Sequence, residues 1–271
     1  MLEKFLCKAS KKVGIFPGRT RSKNTKDSDN IIIGGVKFDP EVYLSLNPDI
    51  VNVNICDAAS HFMSIGLTEL RPFTIEYQFS SEFYKETYPD LQDLTPPELY
   101  RHWLMTGADE KRFPSAAKFL QSLGLALDDI PEEFSIDRYK APYPDLSKMS
   151  RYEGFRHFIE YGLREGRASP FAPGKGNAFL RQLSDNYNMR GDIMMATLCL
   201  DRVLASSPDD ALALQAYADL QLRAGNNFVA RTMYQQAFRL NPGYFWTSVN
   251  NAVASQNLGL HDEAVDLFSA A

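Results

Sequence analysis

The chain has 271 residues, of which 44% are hydrophobic and 23% are charged, and its formal net charge is -5. These values exclude a wholly disordered or fibrous chain. No stretch approaches the roughly 18 consecutive apolar residues of a membrane-spanning helix, so we expect a cytoplasmic protein without a membrane span.

The first 37 residues form a basic head. Residues 1–30 hold eight Lys or Arg against three Asp or Glu, which leaves 21 against 31 for the remaining residues. A polar, like-charged segment of this kind cannot bury enough apolar surface to fold, so we expect it to be disordered. We assign it no function and expect no nucleic-acid partner.

Residues 38–72, 79–113 and 134–168 share one pattern. Counted from the first phenylalanine, each copy has a tyrosine at +5, Pro-Asp at +10 and +11, and a histidine at +23. A glycine at +28, a glutamate at +31 and an arginine at +33 follow in the same register. This agreement identifies an internal repeat, whose copies start at Phe38, Phe79 and Phe134.

Each copy is predicted to form a helical hairpin. The residues at +1 and +16 are types that favour helix N-caps, namely Asp39, Ser80, Ser135, Asn54, Thr95 and Ser150. The proline at +10 ends the first helix, because its ring disfavours helical geometry in the preceding residue. We expect the glycine at +28 to end the second helix in a left-handed conformation.

The repeated histidines do not predict a metal site. Each copy contributes one imidazole, whereas a zinc site needs three or four ligands, so we expect His61, His102 and His157 to be structural. The aspartate at +11 and the arginine at +33 are interpreted as a turn cap and an ion pair within each copy.

Two stretches carry a resemblance, Phe38 to Asp49 and His157 to Arg167. They resemble the repeat "F-D-x-x-Y-L-x-x-N-P-D … H-Y-x-x-x-G-x-x-E-G-R", which is found next to bacterial glycosyltransferases of surface-polysaccharide assembly. The resemblance implies a bacterial polysaccharide or glycosylation context and carries no catalytic residue. The second copy departs most, since Lys111 stands where the pattern has a second glycine.

A Pro/Gly-rich segment, residues 169–176, is predicted to be a linker, after which the repeat period becomes 34 residues. Gly191, Gly225 and Gly259 are spaced by this period, and Pro208 and Pro242 follow the same step. The pattern resembles tetratricopeptide (TPR) repeats, which stack as helix–turn–helix units. The predicted units are 177–210, 211–244 and an incomplete 245–271. The sequence therefore predicts an all-α protein, with helical-hairpin repeats followed by a TPR-type solenoid.

The resemblance implies that a protein or peptide partner binds the groove lined by the first helix of each unit. Carried over by position, the groove residues are Arg181, Asp185, Asn188, Gln215, Asp219, Leu222, Arg223, Trp246, Val249, Val253, Gln256 and Asn257. Trp246 is the expected anchor, with packing against the next repeat as the alternative. The third unit lacks its closing turn, so self-association there, or a continuation of the natural chain, is also expected.

The sequence contains none of the common catalytic or nucleotide-binding motifs. Ala172-Pro-Gly-Lys-Gly-Asn177 resembles a phosphate loop only superficially, because no strand precedes it. We therefore expect no enzyme activity and no cofactor or metal. A non-catalytic interaction scaffold is the first hypothesis. The alternative is the non-catalytic N-terminal region of a bacterial glycosyltransferase whose catalytic domain lies beyond residue 271. Direct carbohydrate binding by the Tyr/Asp/His repeats is a third interpretation.

Overall fold

The computed structural model describes residues 32–33, 36–75 and 78–270. The predicted disorder of residues 1–30 lies outside this range. The described residues are predominantly helical, which confirms the all-α prediction, and the only strands among them are Ile32–Ile33 (β1) and Val36–Lys37 (β2), paired antiparallel. No helix in this range is both long and apolar enough to cross a membrane.

The chain divides into two compact units at Asp129. The first unit holds the first two hairpins, and the second unit holds the third hairpin together with the 34-residue repeats. The predicted linker, residues 169–176, therefore lies inside the second unit.

Each hairpin has a short first helix, a Pro-Asp turn and a second helix. The first helices are α1 (Pro40–Leu46), α3 (Ser81–Thr87) and α6 (Ile136–Lys140). The second helices begin as α2 (Ala58–His61), α4 (Pro96–His102) and α7 (Arg151–His157). Each of these continues into one π-helical turn, at Phe62–Gly66, Trp103–Gly107 and Phe158–Gly162.

The helix starts follow the capping residues that the sequence predicts. Asp39, Ser80 and Ser135 accept backbone N–H groups of the first helices. In the third hairpin, Ser150 accepts from the backbone N–H of Glu153, whose carboxylate in turn accepts from the backbone N–H of Ser150 at 2.8 Å. Donors that a helix start leaves unpaired are thus satisfied locally.

The glycine at +28 does not end the second helix in a left-handed conformation, so that prediction was wrong. The left-handed residue lies four positions later, at Leu70, Lys111 and Gly166, with φ of 55°, 60° and 68°. The amide of the +33 arginine then bonds back to the +28 carbonyl, at 2.8–2.9 Å in the three copies. This is a Schellman-type helix end, in which a left-handed residue turns the chain away from the helix.

The +28 glycine is required instead because the hydroxyl of the +5 tyrosine, on the first helix, lies very close to it. A Cβ atom added to Gly66, Gly107 or Gly162 would lie 2.8, 2.1 or 2.1 Å from the hydroxyl oxygen of the +5 tyrosine in the same hairpin. No side chain fits there without displacing that tyrosine. The repeated glycine therefore exists for packing between the two helices of each hairpin.

The insert after the second hairpin forms helix α5 (Ala116–Ser122), which Ser115 caps. Its Phe119 is buried and lies 6.2 Å from the ring of Phe83 and 5.6 Å from that of Phe113. The insert thus extends the core of the first unit over the first helix of the second hairpin.

Six helices follow in antiparallel pairs, and we call residues 177–270 the array. The pairs are α8 (Asn177–Met189) with α9 (Ile193–Ser206), α10 (Ala211–Arg223) with α11 (Asn227–Leu240), and α12 (Phe245–Asn257) with α13 (His261–Ala270). Gly191, Gly225 and Gly259 turn the chain between the helices of each pair, with φ of 79°, 80° and 77°. Small buried residues let the helices approach closely, at Ser184, Ala218, Ala252, Ala196, Ala230 and Ala264.

The array and the third hairpin share one core. The ring of Phe179, on α8, lies 5.7 Å from that of Phe155 and 5.8 Å from that of Phe171. The hydroxyl of Tyr187 donates to the carbonyl of Ile159 at 3.2 Å. The third hairpin therefore covers the first face of the array, where a helical solenoid would otherwise expose apolar surface.

Candidate functional site

Each hairpin contains the same contact between a buried tyrosine and a half-buried histidine. The hydroxyl of the +5 tyrosine lies 2.9, 3.1 or 2.8 Å from Nδ1 of the +23 histidine, in the pairs Tyr43–His61, Tyr84–His102 and Tyr139–His157. Burial raises the pKa of Tyr43 and of Tyr139 to about 12. The tyrosines are therefore neutral hydrogen-bonding groups, and the histidines serve the packing of each hairpin.

No cluster of three or more metal-binding side chains occurs within the described ranges. The three histidines belong to separate hairpins, as the repeat spacing implies. This geometry is that of a structural repeat.

An exposed ion pair closes each hairpin. Arg71 lies 2.7 Å from Asp49, Arg112 lies 2.9 Å from Asp90, and Arg167 lies 3.0 Å from Asp145. The arginine also contacts the +31 glutamate at 2.5–2.6 Å in each copy. Hydrogen bonding to the arginine lowers the pKa of Asp49 and of Asp90. The predicted pairing of +11 with +33 is thus present, although exposed pairs contribute little to stability.

In the array, the first helices of units two and three lie side by side. The hydroxyl of Thr247 donates to Oε1 of Gln215 at 3.3 Å, and Nδ2 of Asn250 donates to Oδ1 of Asp219 at 3.0 Å. The hydroxyl of the buried Tyr234 also donates to Asp219. Gln215 and Asp219, two predicted groove residues, therefore hold neighbouring units together as well as lining the surface.

The first repeat of the array contributes three predicted groove residues, Arg181, Asp185 and Asn188. Arg181 forms an ion pair with Asp210, the N-cap of α10, so its charge is already neutralised. Asp185 is exposed as a residue, but partial desolvation of its carboxylate, together with the charge of Asp219, raises its pKa. The nearby Arg181 partly offsets this rise. Within the described structure, Oδ1 of Asn188 is buried and has no hydrogen-bond partner. The first helices of the first two repeats of the array thus present a weakly acidic surface.

The remaining predicted residues differ in exposure. Leu222 packs against the buried core of Ala218 and Tyr234, and Arg223 is exposed. In unit three, Val249 and Val253 are half-buried, whereas Gln256 and Asn257 are exposed.

Trp246 is 57% exposed among the described residues, and the alternative that it packs against a following repeat stays a prediction. Its ring lies 5.1 Å from that of Phe245, edge to face, and Phe245 is 51% exposed. Tyr244, which precedes them, is 40% exposed. We call Tyr244, Phe245 and Trp246 the aromatic cluster.

The sequence reasoning missed part of this surface. Leu212, 54% exposed, occupies the position in α10 that Trp246 occupies in α12, and the 34-residue period alone could have found it. Asn250 lies four residues after Trp246, on the same helical face. The two neighbours of Trp246 in the aromatic cluster carry no periodic signal, because the residues one period earlier, Asp210 and Ala211, are not aromatic.

The sequence matches no family model and no curated protein. Among solved structures, it is similar to the first TPR of Spaghetti (RPAP3) bound to the HSP90 peptide SRMEEVD, with 19% identity and a TM-score of 0.34. This match covers 35% of this chain and 76% of that one. The second TPR of the same protein, bound to the same peptide, gives 21% identity and a TM-score of 0.35 over 35% and 89% of the two chains.

The MamA protein gives 22% identity and a TM-score of 0.34, over 35% of this chain and 51% of that one. These values are low, so the description of the fold rests on the helices themselves. Three antiparallel pairs with glycine turns at a period of 34 residues make residues 177–270 a TPR-like array within an all-α chain.

Proposed function

We propose that the chain is a non-catalytic interaction module that binds a protein or peptide partner through the first helices of the array. The observation that carries the proposal is the aromatic cluster, three solvent-exposed rings at the start of a helix whose other face is packed. Exposed aromatic side chains on a rigid element are typical anchors of a binding surface, since they bury a large area with little loss of conformational freedom.

The charges of the same surface favour a particular partner. Asp185 and Asp219 lie close enough for their carboxylates to interact, and Arg181 is already paired with Asp210. A partner peptide that contains both an apolar or aromatic residue and a Lys or Arg would fit both the aromatic cluster and these carboxylates. The TPR domains of Spaghetti (RPAP3) are bound to a peptide that contains consecutive glutamates, so the partner proposed here differs in charge.

The test uses a random peptide library displayed on phage and selected against the whole chain. We expect selected peptides to combine an aromatic or aliphatic residue with a basic one. Trp246→Ala should weaken their binding by about 2 kcal/mol, roughly thirtyfold, which is the range of an aromatic hot spot. Asp185→Ala should weaken binding much less, because its contribution is that of a partly exposed charge.

Phe228→Ala is the matched control. Phe228 is also an exposed aromatic, 70% accessible, but it lies on the second helix of unit two. Its loss should leave peptide binding unchanged. The proposal fails if both alanine variants bind alike, or if Trp246→Ala unfolds the array. Self-association through the third unit, a further part of the proposal, would appear as a dimer in light scattering that Trp246→Ala dissociates.

The hairpin resemblance supports a second candidate, in which residues 1–271 form the non-catalytic N-terminal region of a bacterial glycosyltransferase in the cytoplasm. The hairpins would then be spacers or carbohydrate-binding elements beside the enzyme domain. The reading frame after codon 271 tests this candidate, which requires an α/β domain of alternating strands and helices.

A further inference from the structure

A cleft of about 970 Å³ lies inside the second unit, away from the aromatic cluster. Three parts of the chain form its walls: helix α6 of the third hairpin, the segment 168–175, and helices α8 and α9 of the array. Its volume is that of a site for a small organic molecule. The cleft is open to solvent, so such a molecule could enter it directly.

The cleft is strongly basic. Arg138, Lys175 and Arg202 contribute to its lining, one from each wall, and none of the described residues that line it is acidic. Among the described residues none of these three cations forms an ion pair. Two carboxylates that lie close in sequence to the lining are engaged elsewhere, since Asp137 pairs with Lys140 and Asp210 pairs with Arg181. Three like charges around one space repel one another, and a bound anion would relieve that repulsion.

The wall that carries Lys175 is fixed by packing. Phe171 is buried among the rings of Phe134, Phe158 and Phe179, at 6.1, 5.9 and 5.8 Å. The amide of Lys175 donates to the carbonyl of Ala172 at 2.9 Å. Gly176 follows with φ of 73°, and a Cβ there would meet the Phe171 ring at 2.4 Å. The backbone of Lys175 is therefore held by an anchored turn, which reduces the backbone entropy lost on binding.

The chemistry of the lining indicates the class of ligand. A phosphoryl group carries close to two negative charges and three acceptor oxygens, which matches three cationic donors better than a single carboxylate does. The hydroxyl of Ser169 and the apolar groups of Ala141, Pro142 and Ala205 also line the cleft. These groups suit a compact carbon body next to the charge.

We propose that this cleft, between the third hairpin and the array, binds a small organic phosphate held by Arg138, Lys175 and Arg202. The site is independent of the partner-binding surface. It would also give a role to residues 169–176, which were expected from sequence to be a linker and which Phe171 anchors in the core of the unit.

The experiment is calorimetric titration of the whole chain with phenyl phosphate at physiological salt concentration. We expect binding that weakens about tenfold in Arg138→Gln, Lys175→Gln and Arg202→Gln, because each removes a charge-assisted hydrogen bond. Arg239→Gln, an exposed arginine on α11 outside the cleft, is the matched control and should bind as the unmodified chain does. All variants keep the same basic head, so any binding to the head is common to them.

Thermal unfolding of each variant separates lost binding from lost folding. If Arg202→Gln unfolds, the exposed Arg138 and Lys175 decide the result. Two further titrations define the ligand: benzoate should bind at least tenfold more weakly than phenyl phosphate, and inorganic phosphate more weakly as well. The proposal is overturned if phenyl phosphate does not bind or if every variant binds equally. Tighter binding of a phosphotyrosine peptide than of phenyl phosphate would also overturn it, in favour of a protein ligand.

Discussion

Replacing Lys111 with glycine should stabilise the first unit. Lys111 occupies the left-handed position that ends the second hairpin, with φ of 60°, and its side chain is exposed. A non-glycine residue in this conformation costs about 1–2 kcal/mol. Glycine loses about 0.5–1 kcal/mol more conformational entropy on folding, so the net gain should be about 0.5–1 kcal/mol. The third hairpin already has Gly166 at this position.

Urea unfolding followed by tryptophan fluorescence measures this gain. Trp103 is 2% exposed in the first unit, whereas Trp246 is largely exposed, so the emission change reports mainly on the first unit. The midpoint for Lys111→Gly should rise by about 0.3–0.5 M. The matched control is Lys85→Gly, inside helix α3, which should lower the midpoint because glycine in a helix costs about 1 kcal/mol. A lower midpoint for both variants would refute the assigned backbone conformation.

Three further outcomes follow from the packing and electrostatics. Gly107→Ala should destabilise the second hairpin by about 1–3 kcal/mol, and combining it with Tyr84→Phe should recover part of the loss in a double-mutant cycle, because the clashing hydroxyl is removed. Asp185→Asn should raise the melting temperature at pH 7. The pKa of Asp185 is raised, so its ionisation costs stability as the pH rises through that pKa, and the difference should vanish below the unfolded-state pKa of about 3.9. Tyr234→Phe should cost about 1–3 kcal/mol in denaturant titration, since a buried hydroxyl no longer donates to Asp219, and an unchanged midpoint would contradict that contact.

The sequence was sufficient to predict the repeats, their hairpin form and most helix starts. These features depend on local chemistry, such as the N-cap of Asp39 or the proline at the turn, and local chemistry is visible in a single sequence. The role of the +28 glycine was mistaken because a left-handed residue and a close approach require the same residue type. Only the position of the Tyr84 hydroxyl next to Gly107 distinguishes them.

The candidate site was predicted less completely. The period of the array placed Asp219 and Trp246 on first helices, but it could not show that Asp219 bonds to Asn250 or that Trp246 is exposed. Those facts depend on how neighbouring units pack. The binding role of the predicted groove remains a prediction.

The shared core of the third hairpin and the array limits where this chain can exchange parts with other chains. A recombination event within residues 172–176 would separate Phe155 and Phe171 from Phe179, and would leave Tyr187 without its acceptor on Ile159. In a hybrid protein joined there, a hairpin and an array from different proteins would have to form a new packed hydrophobic contact. A crossover near Asp129 would transfer the third hairpin and the array together, with that junction intact. The smallest part of this chain that keeps this junction intact therefore begins before the third hairpin.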